Sequence, residues 1–311
     1  MSFDRPSHLP SALTVHFWGV RGSIPSPGPE TVGYGGNTSC VELRCGEERL
    51  ILDAGSGIRR LGLALTRECS QRPLATTLLL SHTHWDHIQG LPFFRPAYDR
   101  ANQLHIFGAP GTRAKIRTAL SAQMDPLEFP VPLQSLAGIA SIEEFTGATT
   151  TLGKYAIRTI GLNHPGGCTG FRIEAGQRTV AYLPDHEPYR LAIDSGAPTA
   201  AARAERSENE LLDFLKGCNL LILDSQYDRT DYPSHIGWGH GCLDDSVDLA
   251  LRAGVGHLVL FHHDPEHDDR KIDAMIVHAR QQVIETGARL HITAARELEQ
   301  IALRSRRRLA A

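Results

Sequence analysis

Short apolar runs separated by glycine, proline and polar clusters recur along the whole chain, and their period shifts between two and about 3.6. Residues 13–20 read as a strand, followed at 21–36 by a loop rich in Gly and Pro. Residues 40–44 and 50–53 read as short strands, and 74–80 and 104–107 as two more. Between and after these, 58–66 and 112–124 carry helical spacing. The second half has the same style, with strands at 155–162, 170–175, 179–183, 220–223 and 257–261. Its helices fall at 208–215, at 244–253 ahead of Gly254, and at 268–286. Strands clustered in both halves, with helices between and after them, predict an α/β protein in which two sheets pack together under helices. No sequence repeat relates the halves. Residues 195–208, rich in Ala, Ser and Glu, are expected to form a mobile surface segment.

Composition narrows the picture. The chain has 311 residues, 41% hydrophobic and 22% charged, which suits a sizeable core. It reads as a single domain over 1–311, with 1–12 as an N-terminal extension and 303–311 as a basic tail. The net charge of −3 argues against a duplex-DNA binder. Arg304, Arg306, Arg307 and Arg308 read as a solvated helix end. Six scattered cysteines (Cys40, Cys45, Cys69, Cys168, Cys218 and Cys242) form no C-x-x-C pair and suit a reducing compartment. No leader-like apolar segment opens the chain, and no run of about 18 apolar residues could span a membrane, so a cytoplasmic location is expected. A homodimer is compatible with this composition.

The candidate chemistry sits where the apolar run 74–80 ends, in Ser81-His82-Thr83-His84-Trp85-Asp86-His87. In extended chain His82 and His84 point the same way and could reach one metal, while Asp86 and His87, being adjacent, should diverge towards a second. Three further residues follow apolar runs in the same manner. His164 comes after 155–162, ahead of Pro165-Gly166-Gly167, and His262 comes after 257–261. Asp185, after 179–183, is an isolated acid suited to bridging two ions. His8, His16, His105, His257, His278 and His291 fit no such pattern. Nitrogen and oxygen donors without cysteine favour two divalent ions, zinc first, with manganese and iron also compatible.

The H-x-H-x-D-H signature followed by His164, Asp185 and His262 resembles the metallo-β-lactamase superfamily over about residues 13–295. The resemblance implies an αββα four-layer sandwich, two mixed sheets flanked by helices, with the site at the edge where the sheets meet. It also implies that His82, His84 and His164 hold one metal, that Asp86, His87 and His262 hold the other, and that Asp185 bridges them. His262 rather than His263 is preferred, because it directly follows the apolar strand. Within the superfamily the chain looks closest to the ribonuclease Z and phosphodiesterase branch. Gly22-Ser23-Ile24-Pro25-Ser26-Pro27, Leu52-Asp53-Ala54-Gly55-Ser56-Gly57 and Gly239-His240-Gly241 carry that likeness. By it, His240 would protonate the leaving oxygen and Asp224 would orient His240. A long Gly- and Pro-rich arm, the grip on transfer RNA in that branch, is not evident.

Two divalent ions, two carboxylates and a hydroxide would leave the site net positive, which suits an anionic phosphodiester. The ions would also bring the hydroxide into being near neutral pH, with Asp86 helping to orient it. The expected function is thus a metal-dependent hydrolase, a phosphodiesterase acting on an anionic small molecule such as a cyclic nucleotide, or on an RNA end. Hydrolysis of a lactone, thioester or β-lactam is the alternative for the same hydroxide. A di-iron oxidoreductase and a metal-free binding module fit less well, since His84 and all seven ligand candidates are kept. Tyr227, Tyr232 and Trp238 could stack on a base, although ordinary packing accounts for them more simply.

Overall fold

In the computed structural model, which describes residues 12–110, 113–147, 149–194 and 197–303, the apolar runs form two seven-stranded mixed sheets among those residues. The first sheet holds β1 (Leu13–Gly19), β2 (Cys40–Cys45), β3 (Glu48–Leu52), β4 (Ala75–Leu79), β5 (Gln103–Gly108) and β6 (Ile139–Glu144). The second holds β7 (Thr150–Leu152), β8 (Tyr155–Leu162), β9 (Cys168–Ala175), β10 (Arg178–Leu183), β11 (Leu220–Asp224), β12 (His257–Phe261) and β13 (His291–Ala294). The last strand, β14 (Gln300–Leu303), returns to the first sheet and pairs antiparallel with β1.

Each sheet has an antiparallel half and a parallel half. The order β14-β1-β2-β3 is antiparallel and β3-β4-β5-β6 parallel. The order β7-β8-β9-β10 is antiparallel and β10-β11-β12-β13 parallel. The two halves of the chain therefore repeat one topology without repeating a sequence.

Seven helices accompany the described strands: α1 (Ile58–Glu68), α2 (Trp85–Ile88), α3 (Arg113–Ala122), α4 (Arg190–Ile193), α5 (Pro198–Leu215), α6 (Leu243–Arg252) and α7 (Asp269–Thr286). The layers follow from which face each side chain takes. Val180, Tyr182, Leu220, Ile222, Val259 and Phe261 point between the sheets, where they meet Val15, Phe17, Leu50 and Leu52. Their neighbours Ala181, Leu183, Leu221, Leu223, Leu258 and Leu260 point outward to Leu211, Val247 and Ile276 of α5, α6 and α7. On the first sheet Ile51, Leu78 and Ile106 pack against Ile58, Leu61, Leu65 and Ile116 of α1 and α3. Both faces of the central strands are buried, so they read as unbroken apolar runs rather than as alternating ones. The result is the expected αββα sandwich.

Some expectations need correcting. Residues 198–208, expected to be mobile, form the first turns of α5. Pro at the start of that helix has its φ preset, and the alanines after it are the best helix formers. Leu303, expected to begin a tail, ends β14 opposite Leu13. The run Arg304, Arg306, Arg307 and Arg308 lies outside the described residues, as do 1–11 of the proposed extension. The short strands β6, β7, β13 and β14 were not evident in the sequence pattern.

Candidate metal centre

Most residues of the site stand just beyond the end of a strand, at the edge shared by the two sheets. Asp53 follows β3, His82 and His84 follow β4, His164 follows β8, Asp185 follows β10 and His262 follows β12. Asp86 and His87 lie on α2, and this changes their geometry. Adjacent residues diverge in extended chain, but here the chain coils into a helical turn, and His87 Nε2 comes within 3.2 Å of Asp86 Oδ2. The two converge instead of diverging.

The structure brings all seven ligand candidates into one cluster. His84 Nδ1 lies 2.9 Å from His164 Nε2. Asp185 stands between two groups of imidazoles. Its Oδ2 faces His82 Nε2 at 3.5 Å and His164 Nε2 at 3.4 Å. Its Oδ1 faces His87 Nε2 at 3.1 Å and His262 Nε2 at 3.4 Å. His262 Nε2 is also 3.1 Å from Asp86 Oδ2. His263 turns away, its Nε2 donating to the Ala295 carbonyl. Two ligand sets within the reach of one ion result, His82, His84, His164 and Asp185 on one side and Asp86, His87 and His262 on the other.

Three buried atoms of this cluster, His82 Nε2, His87 Nε2 and Asp185 Oδ1, have no hydrogen-bond partner. A buried polar atom left unpaired costs about 1–3 kcal/mol, and such atoms seldom gather. Donors about 3.1–3.5 Å apart with lone pairs turned inward are what cations would satisfy. The His/Asp cluster is suited to binding metal ions.

The far sides of four of these rings are held by partners, which fix the tautomer and aim the free nitrogen inward. His87 Nδ1 donates to Asp53 Oδ2 at 2.8 Å. Asp53 also accepts from the Ser81 amide, the Ser81 hydroxyl and the Tyr182 hydroxyl. His82 Nδ1 lies 3.0 Å from the Ser81 hydroxyl, which passes the chain on to Asp53. His262 Nδ1 donates to Gln226 Oε1 at 2.9 Å, and the Gln226 amide donates to Asp264. His164 Nδ1 donates to the Gly239 carbonyl at 2.8 Å. The loop carrying Gly239 is pinned by the buried Glu187, which accepts from the Gly237 and Gly239 amides and the Tyr232 hydroxyl. Gln226, Glu187 and Ser81 were not singled out from the sequence. Their roles depend on partners tens of residues away, and only Asp53 had a local signal, the acid-glycine turn after an apolar run.

Ionisation follows burial and charge. Burial, aided by His87, holds His82 well below the ordinary histidine range, and burial also lowers His84 and His164. All three are neutral donors at pH 7. Burial would lower His87 and His262 too, but Asp185 and Asp86 outweigh it. His87 is raised well above its ordinary value and His262 to about 9. Burial would raise Asp86 and Asp185, but the facing histidines hold both well below the usual carboxylate range.

His240 lies over the cluster, its ring stacked on His262 at 4.8 Å between centroids and 5.3 Å from His164. Its Nδ1 is 3.0 Å from Asp224 Oδ2, and the other Asp224 oxygen accepts from the Gln226 backbone N–H. Tyr227 and Tyr232 are buried with Cys242, so they pack rather than present a face to solvent. Trp238 is 60% exposed. His257 and His291 lie against each other, their rings tilted, at the far end of their strands from the cluster.

The model of the beta-lactamase superfamily domain family matches residues 48–263, and the chain belongs to that family. Ribonuclease Z of Thermoplasma acidophilum is 23% identical, the match covering 89% of this chain and 94% of that protein. Among solved structures, the metallo-beta-lactamase fold protein YhfI from Bacillus subtilis matches with a TM-score of 0.65 and 18% identity, over 94% of this chain and 99% of that one. Zinc-bound PqqB from Methylobacterium extorquens matches with a TM-score of 0.62 and 15% identity, over 93% and 99%. These neighbours share the fold. Among the described residues no helix is long and apolar enough to cross a membrane.

Proposed function

We propose that this chain is a metal-dependent phosphodiesterase that holds two divalent ions, zinc first among them, and acts on an anionic nucleotide substrate such as an RNA end. The observation that carries this reading is Asp185, whose two oxygens each face a different set of imidazoles. His82, His84 and His164 would hold one ion, Asp86, His87 and His262 the other, and Asp185 both. When bound, two such ions supply a water of lowered pKa and charge stabilisation for a phosphoryl transition state.

The chain's own groups divide the remaining work. Asp86 Oδ2 accepts from the Ser23 amide at 2.9 Å, which fixes the carboxylate that orients the attacking water. Asp224 holds the Nδ1 proton of His240, and as an imidazolium the ring carries a second proton on Nε2 that can pass to the leaving oxygen and leave a neutral ring. Relatives named ribonuclease Z support phosphodiester cleavage, and the zinc in PqqB supports zinc. The six free cysteines suit a cytoplasmic setting.

The test is hydrolysis of bis(p-nitrophenyl) phosphate with zinc or manganese added, and again after chelation. Metal-dependent turnover that drops at least about a hundredfold in Asp185→Asn is expected. A protein shown to carry two ions that ignores phosphodiesters and cleaves a thioester or lactone would overturn the reading in favour of carbonyl hydrolysis.

A further inference from the structure

A cavity of about 260 Å³ opens beside the metal cluster, bounded by His82, Thr83, His84, Lys115, Gly166 and Gly167 among others. Its walls come from the chain beyond β4, the first turn of α3 and the turn after His164. The turn leaves room. Gly166 and Gly167 sit at positive φ, and a Cβ at Gly167 would meet nothing within 4 Å. At Gly166 it would meet only His84 Nε2, at 3.6 Å. The cavity therefore reaches the solvent-facing edge of a ligand histidine.

Lys115 is exposed, and among the described residues nothing pairs with its ammonium. Among the described residues that line the cavity it is the only Lys, Arg, Asp or Glu, and His82 and His84 beside it are neutral. His240 does not line this cavity and stacks instead on His262, a member of the other ligand set, so the leaving arm of a diester is assigned to that side. The arm that stays must lie towards His82 and His84. Pockets for whole small ligands run about 300–1,000 Å³, so this cavity takes one part of a substrate.

We propose that this cavity is the subsite for the retained arm and that Lys115 pairs there with a second phosphate. The substrate is then a short single-stranded oligonucleotide end rather than a cyclic mononucleotide. The inference rests on the phosphodiesterase reading and narrows it. A cyclic mononucleotide has a single phosphate, which the cluster takes, leaving an unpaired ammonium beside it without a task. An oligonucleotide supplies the next phosphate along the strand, and a lysine is a compact point charge suited to it.

The test uses fluorescein-labelled phosphorothioate dinucleotides, which resist cleavage, with and without a terminal phosphate. They are titrated by anisotropy into zinc-loaded wild type, Lys115→Ala and Lys115→Arg. Alanine keeps the helix, so folding is not at issue. Wild type should bind the ligand with the extra phosphate about tenfold more tightly, Lys115→Ala should lose that preference, and Lys115→Arg should keep it. No preference in wild type, or a preference unchanged in Lys115→Ala, overturns the proposal. Turnover of bis(p-nitrophenyl) phosphate by wild type, measured separately, shows whether the phosphodiesterase reading has failed instead.

Discussion

Asp53 Oδ2 accepts the Nδ1 proton of His87 across 2.8 Å, and both side chains are fully buried. The pair leaves His87 Nε2 as the only free nitrogen of that ring, aimed at Asp185. Asp53 also anchors Ser81, and through Ser81 it steadies His82 on the other side of the cluster. One carboxylate thus orients a histidine of each proposed ligand set. Asp53→Asn, which keeps the shape but loses the charge, should lower metal affinity about 10–100-fold. Competition with a chromophoric chelator measures this, and unchanged affinity would remove Asp53 from the proposed support of the site.

The Asp224–His240 pair predicts a dependence on the leaving group. A nitrophenolate departs without a proton, whereas a ribose oxygen needs one. His240→Ala should therefore cost about 10²–10⁴-fold in kcat on a ribonucleotide ester and far less on bis(p-nitrophenyl) phosphate. Asp224→Asn should show the same leaving-group pattern, weaker in size. Equal losses on both substrates would mean that His240 shapes the site without donating a proton.

Much of this architecture is legible in the chain because the central strands are buried on both faces. Runs such as Leu220–Asp224 and His257–Phe261 then stand out against the loops around them. The ligand candidates were legible for a related reason: His82, Asp185 and His262 follow strands of the parallel halves, which release their ends at one edge of a sheet, and His164 follows the antiparallel β8. What stayed hidden was set elsewhere. The convergence of Asp86 and His87 needs the chain to coil immediately after His84, which the spacing of polar residues does not announce. Gln226 meets His262 across 36 residues, and Glu187 meets Gly239 across 52, contacts that no local pattern carries. The strand β14 is recognisable only once β1 is there to pair with it. The segment at 198–208 was misread because Ala, Ser and Glu serve both exposed helices and loose segments.

Gly22 is required for space. A Cβ there would fall 2.3 Å from His262 Nδ1 and 2.4 Å from its Cε1. His262 is fully buried, is held by Gln226 and sits at a φ of 60°, so it has little freedom to retreat. Gly22→Ala should push the ring out of line with Asp86 and Asp185. Bound metal should fall from two ions towards about one, with turnover lost as well. Metal analysis after dialysis decides the matter, and two retained ions with normal turnover would show that the loop yields more readily than the packing implies.

Metal binding should also displace protons, with a sign set by the cluster's charges. Burial works against protonation of His262, yet Asp185 and Asp86 raise it to about 9, and Asp185 leads the carboxylates that raise His87. In the unfolded chain an ordinary histidine titrates near about 6.5. At His87 and His262 the metal-free fold therefore binds more protons than the unfolded chain between about 6.5 and 9. Stability from these two groups is complete below that window and is lost as pH rises through it. Metal binding runs the other way, because a ligand imidazole must give up its proton, so affinity rises over the same range. The gap in Tm between metal-loaded and metal-free protein should widen steadily from pH 6.5 to 9, and zinc binding at pH 7.5 should release protons detectable as buffer-dependent heats. A gap that stays constant or narrows across that window would mean that His87 and His262 are already neutral without metal, and that the carboxylates facing them do not hold charge.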